Sequence, residues 1–133
     1  MKRKVITLCG SSRFKKDFEE EAQRLTLEGN VVISLGVFSK SSIDNIFDAN
    51  DEEMRIQLKD MLDDIHKQKI DMADEIFVIN KDGYIGKSTW EEIQYAISKN
   101  KLVRFMENES LKYFNYSYYL SDKHKGEMIE KVI

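Results

Sequence analysis

The feature that most constrains this chain is an alternation: four short β-rich runs, separated by stretches in which apolar residues recur at helical spacing. Residues 5–9 are Val, Ile, Thr, Leu and Cys, ended by Gly10-Ser11-Ser12, after which Phe14, Phe18, Ala22 and Leu25 define the inner face of a helix. Gly29-Asn30 closes that helix in the manner of a C-cap, and residues 31–35 follow as a second buried strand. Strand, helix and strand in direct succession make a β-α-β unit, with parallel strands and a right-handed crossover. From 36 to about 50 the pattern gives way to Ser, Asp and Asn with isolated Phe38, Ile43, Ile46 and Phe47, which reads as a loop or lid. Met54, Leu58, Met61, Leu62 and Ile65 predict a helix from near 52 to about 69. A third strand over 75–80 follows, then a turn over 81–87 holding Gly83 and Gly86, then a helix capped by Ser88 or Thr89 and reaching 99. Residues 102–106 form a fourth strand.

Strands and helices alternating in this order predict an α/β fold: a three-layer sandwich of Rossmann-like or flavodoxin-like layering, with a parallel sheet, helices on both faces, and ligands beyond the carboxyl ends of the strands. A length of 133 residues suits one domain, with a core over about 4–106 and a tail over 107–133 whose Tyr113, Phe114, Tyr116, Tyr118 and Tyr119 show no clean period. Charged residues make up 34% of the chain and are interspersed rather than blocked, and the net charge of −3 comes with no basic cluster, which argues against a nucleic-acid partner. The apolar run after the basic amino terminus is too short for a signal peptide or a membrane span. With one cysteine, Cys9, the chain reads as cytoplasmic and without internal disulfides.

Three constellations carry chemistry. In the first, Gly10-Ser11-Ser12-Arg13 sits where strand one meets helix one, so that backbone amides, two hydroxyls and a guanidinium are available to a phosphate or a ribose hydroxyl. The plain alternative is a serine N-cap beside a surface arginine. The second runs from Gly83 to Glu92 at the corresponding edge after strand three, where Gly86, Ser88 and Thr89 precede two carboxylates. Ser88 with Glu91, or Thr89 with Glu92, satisfies capping-box spacing; if Ser88 caps, Glu92 is left free beside the buried stripe of Trp90, Ile93 and Ile97, where it can be partly desolvated. The third is His66, Lys69, Asp71 and Asp74 at the end of the long helix, where a histidine usually serves as a dipole partner or a solvated side chain and Asp74 reads as a turn residue. Cys9 has no histidine partner that spacing identifies and reads as a buried strand residue. No ligand cluster for a metal stands out and no cofactor is called for.

Taken together, residues 5–14, residues 69–75 and residues 83–96 resemble the nucleoside 2-deoxyribosyltransferase-like superfamily, including its small bacterial and phage members; the likeness spans about 4–106. The resemblance implies a glutamate nucleophile that attacks the anomeric carbon of a nucleoside or nucleotide. Its signature, a glutamate followed by an apolar residue, a small or polar one, an aromatic and alanine, falls on Glu92-Ile93-Gln94-Tyr95-Ala96. It implies that Gly10, Ser11, Ser12 and Arg13 lie beside the sugar or its 5′-phosphate, and that His66, or the nearby Asp71, assists departure of the base. It also implies a homodimer or larger homo-oligomer whose neighbouring chain completes the pocket, a part the aromatic tail is suited to play. Two positions depart from the family pattern: Thr7 stands where a tyrosine often holds the nucleophile, and Gly86 stands where Asp or Ser precedes it by six residues. The activity expected is an N-glycosidase or deoxyribosyl transfer. The alternatives are a nucleotide-sensing module without turnover and a phosphoribohydrolase or NAD-cleaving relative.

Overall fold

The computed structural model describes residues 2–39, 43–44 and 50–108. The expected loop or lid over 36–50 lies partly outside these residues, and the aromatic tail from 109 onward lies wholly outside them.

Four strands form one parallel sheet: β1 (Val5–Gly10), β2 (Val31–Ile33), β3 (Glu75–Ile79) and β4 (Leu102–Phe105), in the order β2-β1-β3-β4. Among the described residues, helices α1 (Lys15–Leu27), α2 (Glu52–Asp71) and α3 (Lys87–Ser98) connect them. Parallel central strands must be apolar on both sides because helices cover both faces, and all five residues of β3 are buried. Along β1 the side chains divide by parity. Ile6 and Leu8 pack with Phe18 and Leu25 of α1, whereas Cys9 joins Ile70 of α2 and Trp90, Ile93, Ala96 and Ile97 of α3. The molecule is thus the expected three-layer α/β sandwich, with α1 on one face and α2 and α3 on the other.

The ends of the elements follow local chemistry. Gly29, at φ 99°, ends α1 in a left-handed conformation; its amide reaches the Thr26 carbonyl and that of Asn30 reaches the Leu25 carbonyl, the paired bonds of a Schellman cap. Asp51 caps α2 by accepting the Met54 amide at 3.0 Å. Asp74 is a turn residue, as expected, and its carboxylate accepts the Val5 amide at 2.8 Å, tying the start of β1 to the approach to β3. Glu75, 3% exposed, is held at the same end of the sheet by Lys4 at 3.5 Å and Arg104 at 3.1 Å.

Three expectations need correction. The second strand ends at Ile33 and is an edge strand with Val31 exposed, because β1 already has β3 on its other side and β2 is left with a single neighbour. The first turn of chain after Gly10 is a 3-10 turn, Ser12–Phe14, so α1 begins only at Lys15. Helix α3 has Gly86 at its N-cap with no side-chain cap bond, which places Ser88 and Thr89 inside the first turn and removes both proposed capping boxes. Neither Glu91 nor Glu92 is therefore consumed as a capping partner.

Candidate active site

The strand order reverses direction between β1 and β3: the chain leaves β1 toward β2 and leaves β3 toward β4. A crevice opens at such a point beyond the carboxyl ends of the strands. Here it is a cavity of about 890 Å³, lined by Gly10, Ser11 and Ser12 after β1 and by Tyr84, Gly86, Lys87, Ser88 and Thr89 after β3. Leu62, Asp63, Ile65, His66 and Lys69 of α2 form one wall, and Glu91, Glu92, Gln94 and Tyr95 of α3 form the other. The volume lies within the range of small-molecule sites.

The two turns are joined directly across the mouth. Arg13 places its guanidinium 4.2 Å from the centre of the Tyr84 ring and donates to the Tyr84 hydroxyl at 3.3 Å, while Phe14 meets the same ring edge-on at 5.9 Å. A cation held over an aromatic face gains about 0.5–1 kcal/mol at an exposed site. Gly86 makes room for this arrangement, since a Cβ there would come within 3.1 Å of the Tyr84 hydroxyl. Gly10 is needed for a different reason: at φ 152° a Cβ would sit 2.8 Å from the Ile79 carbonyl of the neighbouring strand.

At the inner end of the cavity three side chains from three elements meet. His66 of α2 points its Nε2 at the Oε2 of Glu92 on α3, an ion pair when the imidazole is protonated, and the Cys9 Sγ of β1 lies 3.4 Å from the same nitrogen. The side chains of His66 and Glu92 keep only 12% and 20% of their exposure. Cys9 is fully buried, and that burial, reinforced by the Glu92 carboxylate, pushes its thiol well above the ordinary pKa. It is therefore a protonated thiol at neutral pH rather than a nucleophile.

His66 is placed by the carboxyl end of α2. Ile70 is anchored in the core, and the Thr7 hydroxyl of β1 donates to the Lys69 carbonyl at 2.7 Å. Lys69 in turn donates from Nζ to the Ser34 carbonyl at 2.9 Å, closing the cavity on the side of β2. Thr7 is thus spent on the helix and does not touch Glu92; the partner of that carboxylate is His66.

The residues expected at the site divide into two groups. Gly10, Ser11, Ser12, Gly86, Ser88, Thr89, His66 and Glu92 all line the one cavity. Ser11 also fulfils its plain reading, accepting the Arg13 amide at 3.3 Å as the cap of the 3-10 turn. Arg13 stands outside the lining, engaged with Tyr84, and Asp71 lies beyond the last turn that faces the cavity, where its carboxylate accepts the Tyr95 hydroxyl at 2.7 Å. Sequence reading grouped Lys69 with His66 and quoted Tyr84 and Tyr95 within the motifs, but gave none of the three a part in the pocket, and it treated Cys9 as unpartnered. Helical spacing carries the signal for two of them: Tyr95 lies three residues after Glu92, and Lys69 three after His66, each on the same face as its neighbour.

No protein-family model matches the chain, and no curated protein matches its sequence. Among the described residues, no helix is long and apolar enough to cross a membrane.

Proposed function

We propose that this protein cleaves the N-glycosidic bond of a nucleoside or nucleotide, with Glu92 as nucleophile. One observation supports the reading above the others: Glu92 projects to the inner end of a cavity shared by the turns after β1 and β3, mostly withdrawn from water, with one carboxylate oxygen held by His66. A nucleophilic carboxylate needs that combination of partial desolvation and fixed orientation.

In this mechanism the free oxygen of Glu92 forms a bond to the anomeric carbon as the bond from that carbon to the base nitrogen breaks, and the base leaves with the electron pair and takes up a proton from water in the open cavity. Water then attacks the glycosyl-enzyme ester to complete hydrolysis, or a second base attacks to complete transfer. His66 acts on Glu92 itself, holding the carboxylate, so it is a positioning residue rather than the acid that protonates the base. Asp71 does not line the cavity and accepts from Tyr95, which does, so this reading gives it no direct contact with the base. Gly10 to Ser12 and the first turn of α3, with its outward amides and the hydroxyls of Ser88 and Thr89, offer the donors for a 5′-phosphate or a ribose. Tyr84 and Tyr95 supply aromatic surface for the base.

The test is to incubate the protein with deoxynucleosides, deoxynucleoside monophosphates, ribonucleotides and NAD, and to follow free base by chromatography. Release from at least one class is expected. It should fall by about three orders of magnitude or more in Glu92→Ala, the scale on which deleting a covalent nucleophile acts, and stay within about twofold in Glu91→Ala, whose carboxylate lines the cavity without contacting His66. Binding of a nucleotide with no release of base from any substrate would replace this reading with that of a sensing module.

A further inference from the structure

The meeting of Cys9, His66 and Glu92 has a chemical peculiarity that the glycosidic reading does not use. Thiol and carboxylate both face the same imidazole nitrogen, with Sγ to Nε2 at 3.4 Å and Nε2 against Oε2. A proton on Nε2 directed at Glu92 leaves the protonated Cys9 thiol beside a nitrogen that cannot accept from it, so a soft atom, a borderline nitrogen and a hard oxygen converge on one point. The three donor atoms all lie within 4.8 Å of one another. A tetrahedral ion bound to one sulfur, one imidazole nitrogen and one carboxylate oxygen sets its donors about 3.3–3.6 Å apart. The sulfur to nitrogen separation already has that value, and the Glu92 oxygen, now against Nε2, would have to withdraw from the nitrogen to reach it.

We propose that Cys9, His66 and Glu92 form a binding site for a thiophilic divalent cation of the zinc class, with its fourth position open to the cavity. A donor set of this kind selects zinc and its neighbours over magnesium or calcium, which take oxygen ligands. Three protein ligands plus one open position is the arrangement of metal sites that exchange a water for another molecule. The ion would displace the thiol proton of Cys9 to solvent, draw its ligands from β1, α2 and α3 at once, and occupy the carboxylate that the glycosidic mechanism requires free. Metal binding and base release therefore exclude one another, and the metal site stands on its own geometry whether or not base release is observed.

Cobalt(II) reports on such a site directly, because a bound thiolate gives a charge-transfer absorption and a tetrahedral field gives intense visible bands. Chelator-treated, reduced full-length protein titrated with cobalt(II) should show both, saturating near one equivalent, and zinc should abolish them while magnesium should not. Glu92→Gln and His66→Gln should weaken cobalt affinity by at least roughly tenfold, no less than the loss of an outer-shell partner costs a metal site. Glu91→Gln should leave it unchanged. Cys9→Ser should remove the charge-transfer band; should that buried substitution fail to fold, the Glu92 and His66 variants, with folding verified by circular dichroism, decide the matter alone. Absence of a thiolate band in the native protein would overturn the proposal, as would a band whose affinity is the same in Glu92→Gln and His66→Gln.

Discussion

Helices α2 and α3 lie on the same face of the sheet and both wall the cavity, yet the longer one is the less buried. Across its 20 residues α2 buries only Ile70 completely, near its carboxyl end, and Ile56, Met61 and Ile65 remain well exposed. Across 12 residues α3 buries Thr89, Trp90, Ile93, Ala96 and Ile97. Fully burying a large apolar side chain contributes about 1.5–3 kcal/mol, so the shorter helix is fixed to the sheet by several such contributions and the longer one by few. Length alone does not anchor a helix; a covered apolar face does. The site is built across this difference, with Glu92 on the firmly seated helix and His66 on the last well-held stretch of the other.

The comparison breaks most visibly at Ile93, which is completely buried in the α3 cluster. Ile93→Ala should destabilise the protein by about 2–5 kcal/mol, read as a lower urea midpoint; a loss under about 1 kcal/mol would mean that α3 is not the anchor. A smaller effect is expected at the start of α2, where Asp51→Ala removes the bond to the Met54 amide and should cost about 1 kcal/mol. Hydrogen exchange should locate that cost in the first turns of α2 while amides of α3 keep their protection. The smallest effect belongs to Met61→Ala, expected within about 0.5 kcal/mol because the side chain is 49% exposed. A much larger loss there, growing with protein concentration, would show that the outer face of α2 is covered in solution by a second copy of the chain.

The same contrast bears on what the sequence could disclose. Strands β1, β3 and β4 and helix α3 were legible because burial writes itself into period: runs of apolar residues for central strands, and Trp90, Ile93 and Ile97 at helical spacing. The long helix was legible too, but its apolar spacing overstated its burial, since Met61 and Ile65 follow the inward pattern and stand half in solvent. The cap of α3 was misread because Ser88 and Thr89 both have the right chemistry, and only the backbone decides that Gly86 takes the position. The cavity was legible in outline, as two polar turns after two strands that parallel topology brings side by side. The contact of Cys9 with His66 was not, because 57 residues separate them and no short-range pattern joins a strand residue to a helix end. Nor did the reading foresee that Thr7 would be occupied by the Lys69 carbonyl, leaving His66 to hold Glu92.

Helix α2 is registered from its far end, through Ile70 in the core and the Thr7 bond to Lys69. The stretch between His66 and that anchor is consequently intolerant of length change. One residue inserted between His66 and Ile70 would swing the imidazole by about 100° around the helix axis and away from both Cys9 and Glu92. The four residues after His66 are therefore where this scaffold can accept no inserted sequence.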